Sequence, residues 1–162
     1  MALKRRLDDS LILYKNRRFP ASFKSESRLR YTVVIGIGGN IGDVRRRFEH
    51  LLHVLARARK VALRRSSAIL KNPPFGYCEQ DDFYNAVLEL QTSMTPYCFL
   101  DFLLHIEKRF GRKRSFANAP RTLDLDIIFF DGRMIDTPRL QVPHPHWFKR
   151  ESVIIPLSTL YM

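Results

Sequence analysis

Cysteine is nearly absent from this chain. Cys78 and Cys98 are the only two in 162 residues. That excludes a disulfide framework, and neither stands in a zinc-ligand spacing. A reducing compartment is the simplest setting, so a cytoplasmic location is expected. No apolar run approaches the ~20 residues that a membrane-crossing helix needs. Asp8, Asp9, Lys15 and Arg17 break any signal-like core near the N-terminus. Internal repeats and low-complexity segments are missing as well. Acid is scarce too: 16 Asp and Glu stand against 28 Lys and Arg, for a formal net charge of +12. So basic a chain attracts phosphate as nucleotide, nucleic acid or acidic lipid, and charge alone does not choose among them.

What is present points to a globular protein. Hydrophobic residues make up 45% and aromatics 12%, more than a disordered chain carries. The length suits one domain with a sizeable core. The first thirty residues hold nine Lys and Arg against three Asp and Glu. Residues 1–30 are expected to be a basic N-terminal extension, loose or packing one apolar strip on a domain that spans 31–162.

Patterning supplies the fold. Thr32–Gly38 is β-branched and predicts a strand, and Gly38-Gly39-Asn40-Ile41-Gly42-Asp43 predicts a tight turn that needs positive φ, or a loop cradling phosphate before a helix. Phe48, Leu51, Leu52 and Leu55 recur at helical spacing and predict a helix over Val44–Ala58. Val61–Lys71 and Phe83–Gln91 predict two more strands. The Pro pair of Asn72-Pro73-Pro74-Phe75-Gly76 excludes regular structure between them. Thr95-Pro96 predicts a capped helix start, with Phe99, Leu100, Leu103, Ile106 and Phe110 on one side and Gly111 at its end. A basic loop leads to an acid-bearing strand, and Asp131-Gly132 predicts a hairpin with a return over Arg133–Ile135. The order is βαββαβ with extra C-terminal elements. That is an α+β, ferredoxin-like antiparallel sheet with helices packed on it.

The candidate chemistry centres on Pro120-Arg121-Thr122-Leu123-Asp124-Leu125-Asp126-Ile127. A strand alternates faces, so Asp124 and Asp126 project together, about 7 Å apart, while Leu123, Leu125, Ile127 and Phe129 take the other side. The pattern fits a solvated edge strand. It equally fits Mg²⁺ held by two hard oxygen donors, which would remove the repulsion between the acids. Arg121 stands where a phosphate could meet it. Phe75 on a rigid loop, with Phe83 and Asn85 on the next strand, suits an aromatic sandwich with a carboxamide, or equally a core. Lys108-Arg109 and Arg112-Lys113-Arg114 suit a loop closing on polyphosphate, or an exposed charge run. Glu107 can accept from a ribose or a base, or pair with arginine. His144 lies between two prolines, which fix an imidazole at little entropic cost. Lys149 and Arg150 add phosphate donors. No nucleophile, base and orienting group fall together, so covalent catalysis is not predicted.

Taken together, Gly-Gly-Asn-Ile-Gly-Asp (38–43), Asn-Pro-Pro-Phe-Gly (72–76), Phe-Tyr-Asn-Ala (83–86), Ile-Glu-Lys-Arg-Phe-Gly-Arg (106–112), Pro-Arg-Thr-Leu-Asp-Leu-Asp-Ile (120–127) and Val-Pro-His (142–144) with Arg150 resemble the 6-hydroxymethyl-7,8-dihydropterin pyrophosphokinase family. The resemblance implies a ferredoxin-like fold. It also implies transfer of the β,γ-diphosphate of ATP to the pterin hydroxymethyl group with release of AMP, in folate biosynthesis. By resemblance, Asp124 and Asp126 would hold two Mg²⁺ ions and form the catalytic set with Arg121 and Arg112. Asn72, Pro73, Pro74, Phe75, Phe83 and Asn85 would form the pterin pocket. Glu107, Arg112, Arg114, Arg121, Ile127, Arg139, His144 and Arg150 would contact ATP. The family's common loop tryptophan is absent, with Phe116 and Asn118 near its place, and Phe116 and Trp147 are the candidate replacements. Ser152 stands where an aromatic is common, and the arm has no recognised counterpart. A monomer acting on ATP and a dihydropterin is expected, without membrane or nucleic-acid partners. A ferredoxin-like RNA-binding module stacking bases on strand aromatics is the alternative. Another is a different two-metal enzyme, such as a nucleotidyl transferase.

Overall fold

A computed structural model describes residues 2–25 and 28–162; Met1, Glu26 and Ser27 of the arm lie outside the described residues. The centre is an antiparallel sheet. Strand β4 (Tyr31–Gly39) lies between β7 (Phe83–Thr92) and β8 (Asp124–Phe130), and β7 pairs on its far side with β5 (Val61–Ser66) and β6 (Ile69–Asn72). Helix α1 (Val44–Arg57) follows β4, and α2 (Pro96–Arg109) follows β7. This is the ferredoxin-like arrangement that the patterning predicts.

Both helices cover one face. Val44, Phe48, Leu51, Leu52 and Leu55 of α1 are buried at helical spacing, with Phe99, Leu103 and Ile106 of α2 beside them. They pack on Val33, Ile35, Ile37, Leu88, Leu90, Leu125 and Ile127. Each such side chain contributes about 1.5–3 kcal/mol. Asp43 caps α1 by accepting the Arg46 amide at 3.1 Å. Thr95 occupies the N-cap of α2 but makes no side-chain capping bond, and Gly111 (φ +80°) lies just past the helix end.

The structure departs from the sequence expectations in four places. The second strand is two: at Ser67 the chain bulges, and the Ser67 hydroxyl accepts the Val87 amide at 2.8 Å, separating β5 from β6. A bulge also places Ile128 between the β4–β8 pairs Val34↔Phe129 and Ile35↔Ile127. Phe129 therefore turns to the face away from the helices and meets Trp147 edge to face at 5.0 Å, while Phe130 takes the core. Asp131 (φ 50°) does turn the chain, but its amide donates to Thr32 C=O at 2.7 Å. That bond ties the turn to β4, and beyond it β9 (Ile135–Asp136) pairs with β10 (Gln141–Val142) rather than returning along β8.

The fourth departure is the form of the arm. It packs its apolar residues on the domain, as one expectation had it, but does so as strands. Strands β1 (Leu3–Arg6) and β2 (Ile12–Lys15) form a hairpin, and β2 pairs with β6; β3 (Ala21–Ser22) pairs with β5. Phe19 is fully buried against Phe48, with ring centroids 6.1 Å apart. Short apolar stretches between charged residues conceal strands that extend an existing edge. Helix α3 (Glu151–Thr159), which carries Pro156, packs on the sheet face opposite α1 and α2 with Val34, Val87 and Ile128.

Candidate active site

Asp124 and Asp126 do share a face, the one opposite the helices, and the register shows what lies beside them. Asp124 is opposite Gly38, Gly38 opposite Asn85, and Asn85 opposite Leu70. In the next row Asp126 is opposite Gly36 and Gly36 opposite Val87. Directly opposed residues share a face. The two glycines therefore leave a flat floor between the acids and Asn85. A Cβ at Gly38 would stand 2.5 Å from Asn85 Oδ1. Gly38 and Gly39 are strand residues needed for close approach, and only Gly42 (φ 72°) has the positive φ expected of that stretch.

The acids differ. Asp124 accepts from Arg112 at one oxygen and from Arg121 Nη1 at 3.0 Å at the other. Arg112 also reaches Glu107 Oε1 at 2.9 Å, which in turn accepts the Leu125 amide at 2.8 Å. Glu107 is buried at the end of α2, and desolvation raises its pKa above the usual carboxylate value, against the pull of the Leu125 amide and Arg112. Arg114 is exposed and touches Glu107 Oε2 at 3.4 Å. No donor among the described residues meets the Asp126 carboxylate. Burial first, then the charges of Asp124 and Glu107, push its pKa up to about 7, with Arg112 and Arg150 opposing.

The arrangement suits a divalent cation. Asp126, half-buried and without a donor among the described residues, stands beside the arginine-held Asp124, and together they offer hard carboxylate oxygens to a cation. Among the described residues, no cluster of three or more His, Cys, Asp or Glu is assembled as a metal cage. The protein offers two oxygens' worth of anchor and leaves other ligands to substrate and water, the usual manner for Mg²⁺ with phosphates.

The pocket residues converge less uniformly. Asn85 Nδ2 donates to Asn72 Oδ1 at 2.7 Å, and Asn72 Nδ2 donates to Pro73 C=O at 3.0 Å. Phe83 is half-buried, with the Arg121 guanidinium 5.4 Å from its ring centre. Pro74 is half-buried, whereas Phe75 is 78% exposed, with Arg150 6.0 Å from its centre. A cavity of ≈310 Å³ is walled by the 112–121 loop, with Arg114, Phe116 and the two arginines that hold Asp124, Arg112 and Arg121. His144 donates its amide to Ile128 C=O at 2.9 Å. Burial, then the charges of Arg150 and His146, lower its pKa. Its Nδ1 accepts the His146 amide at 3.3 Å, so the neutral ring carries its proton on Nε2, a donor suited to phosphate.

Two expected nucleotide contacts lie apart. The Ile127 side chain is in the helix-side core, which leaves only its backbone toward a ligand. Arg139 bonds Asp101 and lies over Tyr97, both on α2 in the turns before Glu107. The sequence did not single out Asn40, Gln80 or Tyr77. Asn40 Nδ2 donates to Gln80 Oε1 at 2.8 Å and Asp81 C=O at 2.9 Å, and Asn40 Oδ1 accepts the Arg121 amide at 3.0 Å. Gln80 Nε2 reaches Asn118 C=O at 2.9 Å. Phe116, near the missing tryptophan's place, meets Tyr77 edge to face at 5.2 Å. Glycines at positions 36 and 38 inside a strand were the available signal for the floor; nothing local marks Gln80.

The chain is similar to known proteins over most of its length. A family model described as 7,8-dihydro-6-hydroxymethylpterin-pyrophosphokinase matches residues 34–162. A 2-amino-4-hydroxy-6-hydroxymethyldihydropteridine pyrophosphokinase from Helicobacter pylori is 40% identical over 145 residues, 88% of this chain and 89% of its own length. One of the same name from Campylobacter jejuni is 38% identical over 90% of this chain and 93% of its own. Another from Bacillus subtilis is 36% identical over 78% of this chain and 75% of its own. The first two alignments cover more than residues 31–162 contain, so they reach back into the arm.

Proposed function

Since the chain belongs to the 7,8-dihydro-6-hydroxymethylpterin-pyrophosphokinase family, we propose that it moves the β,γ-diphosphate of ATP onto the hydroxymethyl group of 6-hydroxymethyl-7,8-dihydropterin, a step of folate biosynthesis. The pterin hydroxyl oxygen bonds the β-phosphorus, the bond from that phosphorus to the bridging oxygen of AMP breaks, AMP leaves, and the hydroxyl proton is released. One observation carries this reading. Two carboxylates, their attendant arginines and a carboxamide pair share one glycine-floored face.

Catalysis of this kind is mostly positioning and charge stabilisation. Phe83 and Phe75 offer ring faces to the pterin, and the Asn72–Asn85 pair fixes the edge that its donors and acceptors meet. The glycine floor lets the ring lie flat, with its hydroxymethyl group toward the acids. Arg112 and Arg121, which hold Asp124, also offer guanidinium donors to phosphate oxygens. Arg114, His144 and Arg150 add donors on the same side. Glu107 keeps Arg112 and the Leu125 amide in place. Asp124 and Asp126 would hold Mg²⁺, two ions in this proposal, which when bound neutralises phosphate charge. On this reading the protein is a cytoplasmic monomer, its near-absence of cysteine fitting a reducing compartment. No described helix is long and apolar enough to cross a membrane.

The test is product identity. With ATP, Mg²⁺ and the hydroxymethyl dihydropterin, AMP and pterin diphosphate should form in equal amounts. ADP or free pyrophosphate as the product would instead indicate another two-metal enzyme. Tight, salt-sensitive RNA binding without turnover would indicate an RNA module.

A further inference from the structure

The family match begins at residue 34, so it assigns no role to the arm. The arm nevertheless stands against the strand that ends in Asn72. Leu13 is opposite Leu70 and Ile12 opposite Lys71. Leu70 is opposite Asn85, and Asn72 follows two residues later as the last residue of β6. Leu11 and Leu13 are 4% and 6% exposed and pack on Ala68 and Leu70, with Ile155 of α3 closing the cluster. Leu13, Leu70, Asn85, Gly38 and Asp124 therefore form one continuous row across five strands, all on the substrate face. The hairpin turn, Leu7 to Leu11, lies at the Asn72 end of β6. It is held by the Leu7 amide on Leu11 C=O at 2.9 Å and by Asp8 Oδ1, which accepts the Ser10 and Leu11 amides at 2.7 Å each.

Without β2, the strand β6 would be a sheet edge paired over three residues, Leu70 to Asn72. So short an edge frays. Fraying would release the Asn72 carboxamide from Asn85, because Asn72 is at the free end. We propose that the N-terminal hairpin is a positioning element of the pterin site, with Leu13 as its central residue. By pressing on Leu70 it holds the Asn72–Asn85 pair in register. The hairpin does not touch substrate; it acts through β6. The inference rests on the pterin pocket proposed above.

The experiment compares Leu13→Ala with Leu13→Met, which restores the volume, and with Leu55→Ala in the last turn of α1, a core truncation on the other face. Each is measured in the full-length chain for KM of pterin, KM of ATP, kcat and Tm. Leu13→Ala should raise the KM of pterin about tenfold while the KM of ATP stays within about twofold; Leu13→Met should bring the pterin KM back to the wild-type value. Leu55→Ala should lower Tm without that split. An unchanged pterin KM in Leu13→Ala overturns the inference, and so does an equal rise in Leu55→Ala, which would mark the effect as loss of stability. Asn85→Ala in the same assay separates the two levels. If it leaves pterin KM unchanged, the pocket is misplaced. If it raises pterin KM while Leu13→Ala does not, only the hairpin's role falls.

Discussion

Asn40 and Arg121 hold each other by two bonds: the Asn40 amide donates to Arg121 C=O, and Arg121's amide donates to Asn40 Oδ1, both at 3.0 Å. The same carboxamide binds the 77–82 loop through Gln80 and Asp81. One residue, 5% exposed, thus joins both walls of the substrate face. Asn40→Ala removes three side-chain bonds and leaves their partners short of an acceptor or donors. A loss of about 2 kcal/mol is expected in urea unfolding, together with higher KM for both substrates. Unchanged KM values would mean that the loops keep their places without this link.

The floor of the site makes a sharper demand. A methyl group at position 38 would stand 2.5 Å from Asn85 Oδ1, so Gly38→Ala must turn the Asn85 carboxamide and break its 2.7 Å bond to Asn72. A rise of about tenfold in pterin KM is expected, equal to about 1.4 kcal/mol. Gly132→Ala, where nothing lies within 4 Å of the added methyl, is the control and should stay within about 0.5 kcal/mol of wild type. Equal KM values for the two variants would exclude the close approach as a determinant of binding.

The βαββαβ order and the acid pair were legible because they rest on local period: alternation in Asp124 to Ile127 and the 3.6-residue repeat in Phe48 to Leu55. What escaped depends on partners distant in sequence. The bulge at Ile128 moves Phe129 to the other face and cannot be seen without β4. The arm reads as charge interrupted by apolar residues, yet it forms strands because β5 and β6 present open edges. Glycines 36 and 38 read only as weak points in a strand until the register sets Gly38 between Asp124 and Asn85 and Gly36 between Asp126 and Val87. The resemblance alone makes Arg139 a nucleotide contact; nothing local in the sequence shows its pairing with Asp101 on α2.

Arg121 links the two halves of the proposed site. Its Nη1 holds Asp124 at 3.0 Å, and its guanidinium lies 5.4 Å from the Phe83 ring centre. Phe83 keeps its place without it, and Arg112 still holds Asp124. Arg121→Ala should therefore lower kcat by about 10²–10³ while pterin affinity changes only a few-fold. Arg121→Lys should recover little, because an ammonium cannot span two acceptors as a planar guanidinium does. A variant with near-normal kcat and much weaker pterin binding would move Arg121 from the phosphate side to the pterin side.

Asp126 gives the pH test. Its pKa is pushed from the ordinary 3.8 up to about 7, chiefly by desolvation and then by Asp124 and Glu107. A carboxyl group with a raised folded-state pKa favours the folded state while protonated. That contribution is full below the unfolded value and is lost as pH rises through the folded one, here between about pH 4 and pH 7. Asp126→Asn keeps the shape and cannot ionise. In EDTA its Tm should match wild type at the acid end of that window and exceed it by about 2–4 °C at pH 8. Mg²⁺ at pH 8 should then raise the Tm of wild type and not of the variant, since only a species that binds the folded state stabilises it. Turnover should be lost in the variant at every pH. A Tm advantage that is the same at both ends of the range would show that this carboxyl group is not strained by its surroundings. Equal protection of both proteins by Mg²⁺ would remove Asp126 from the metal site.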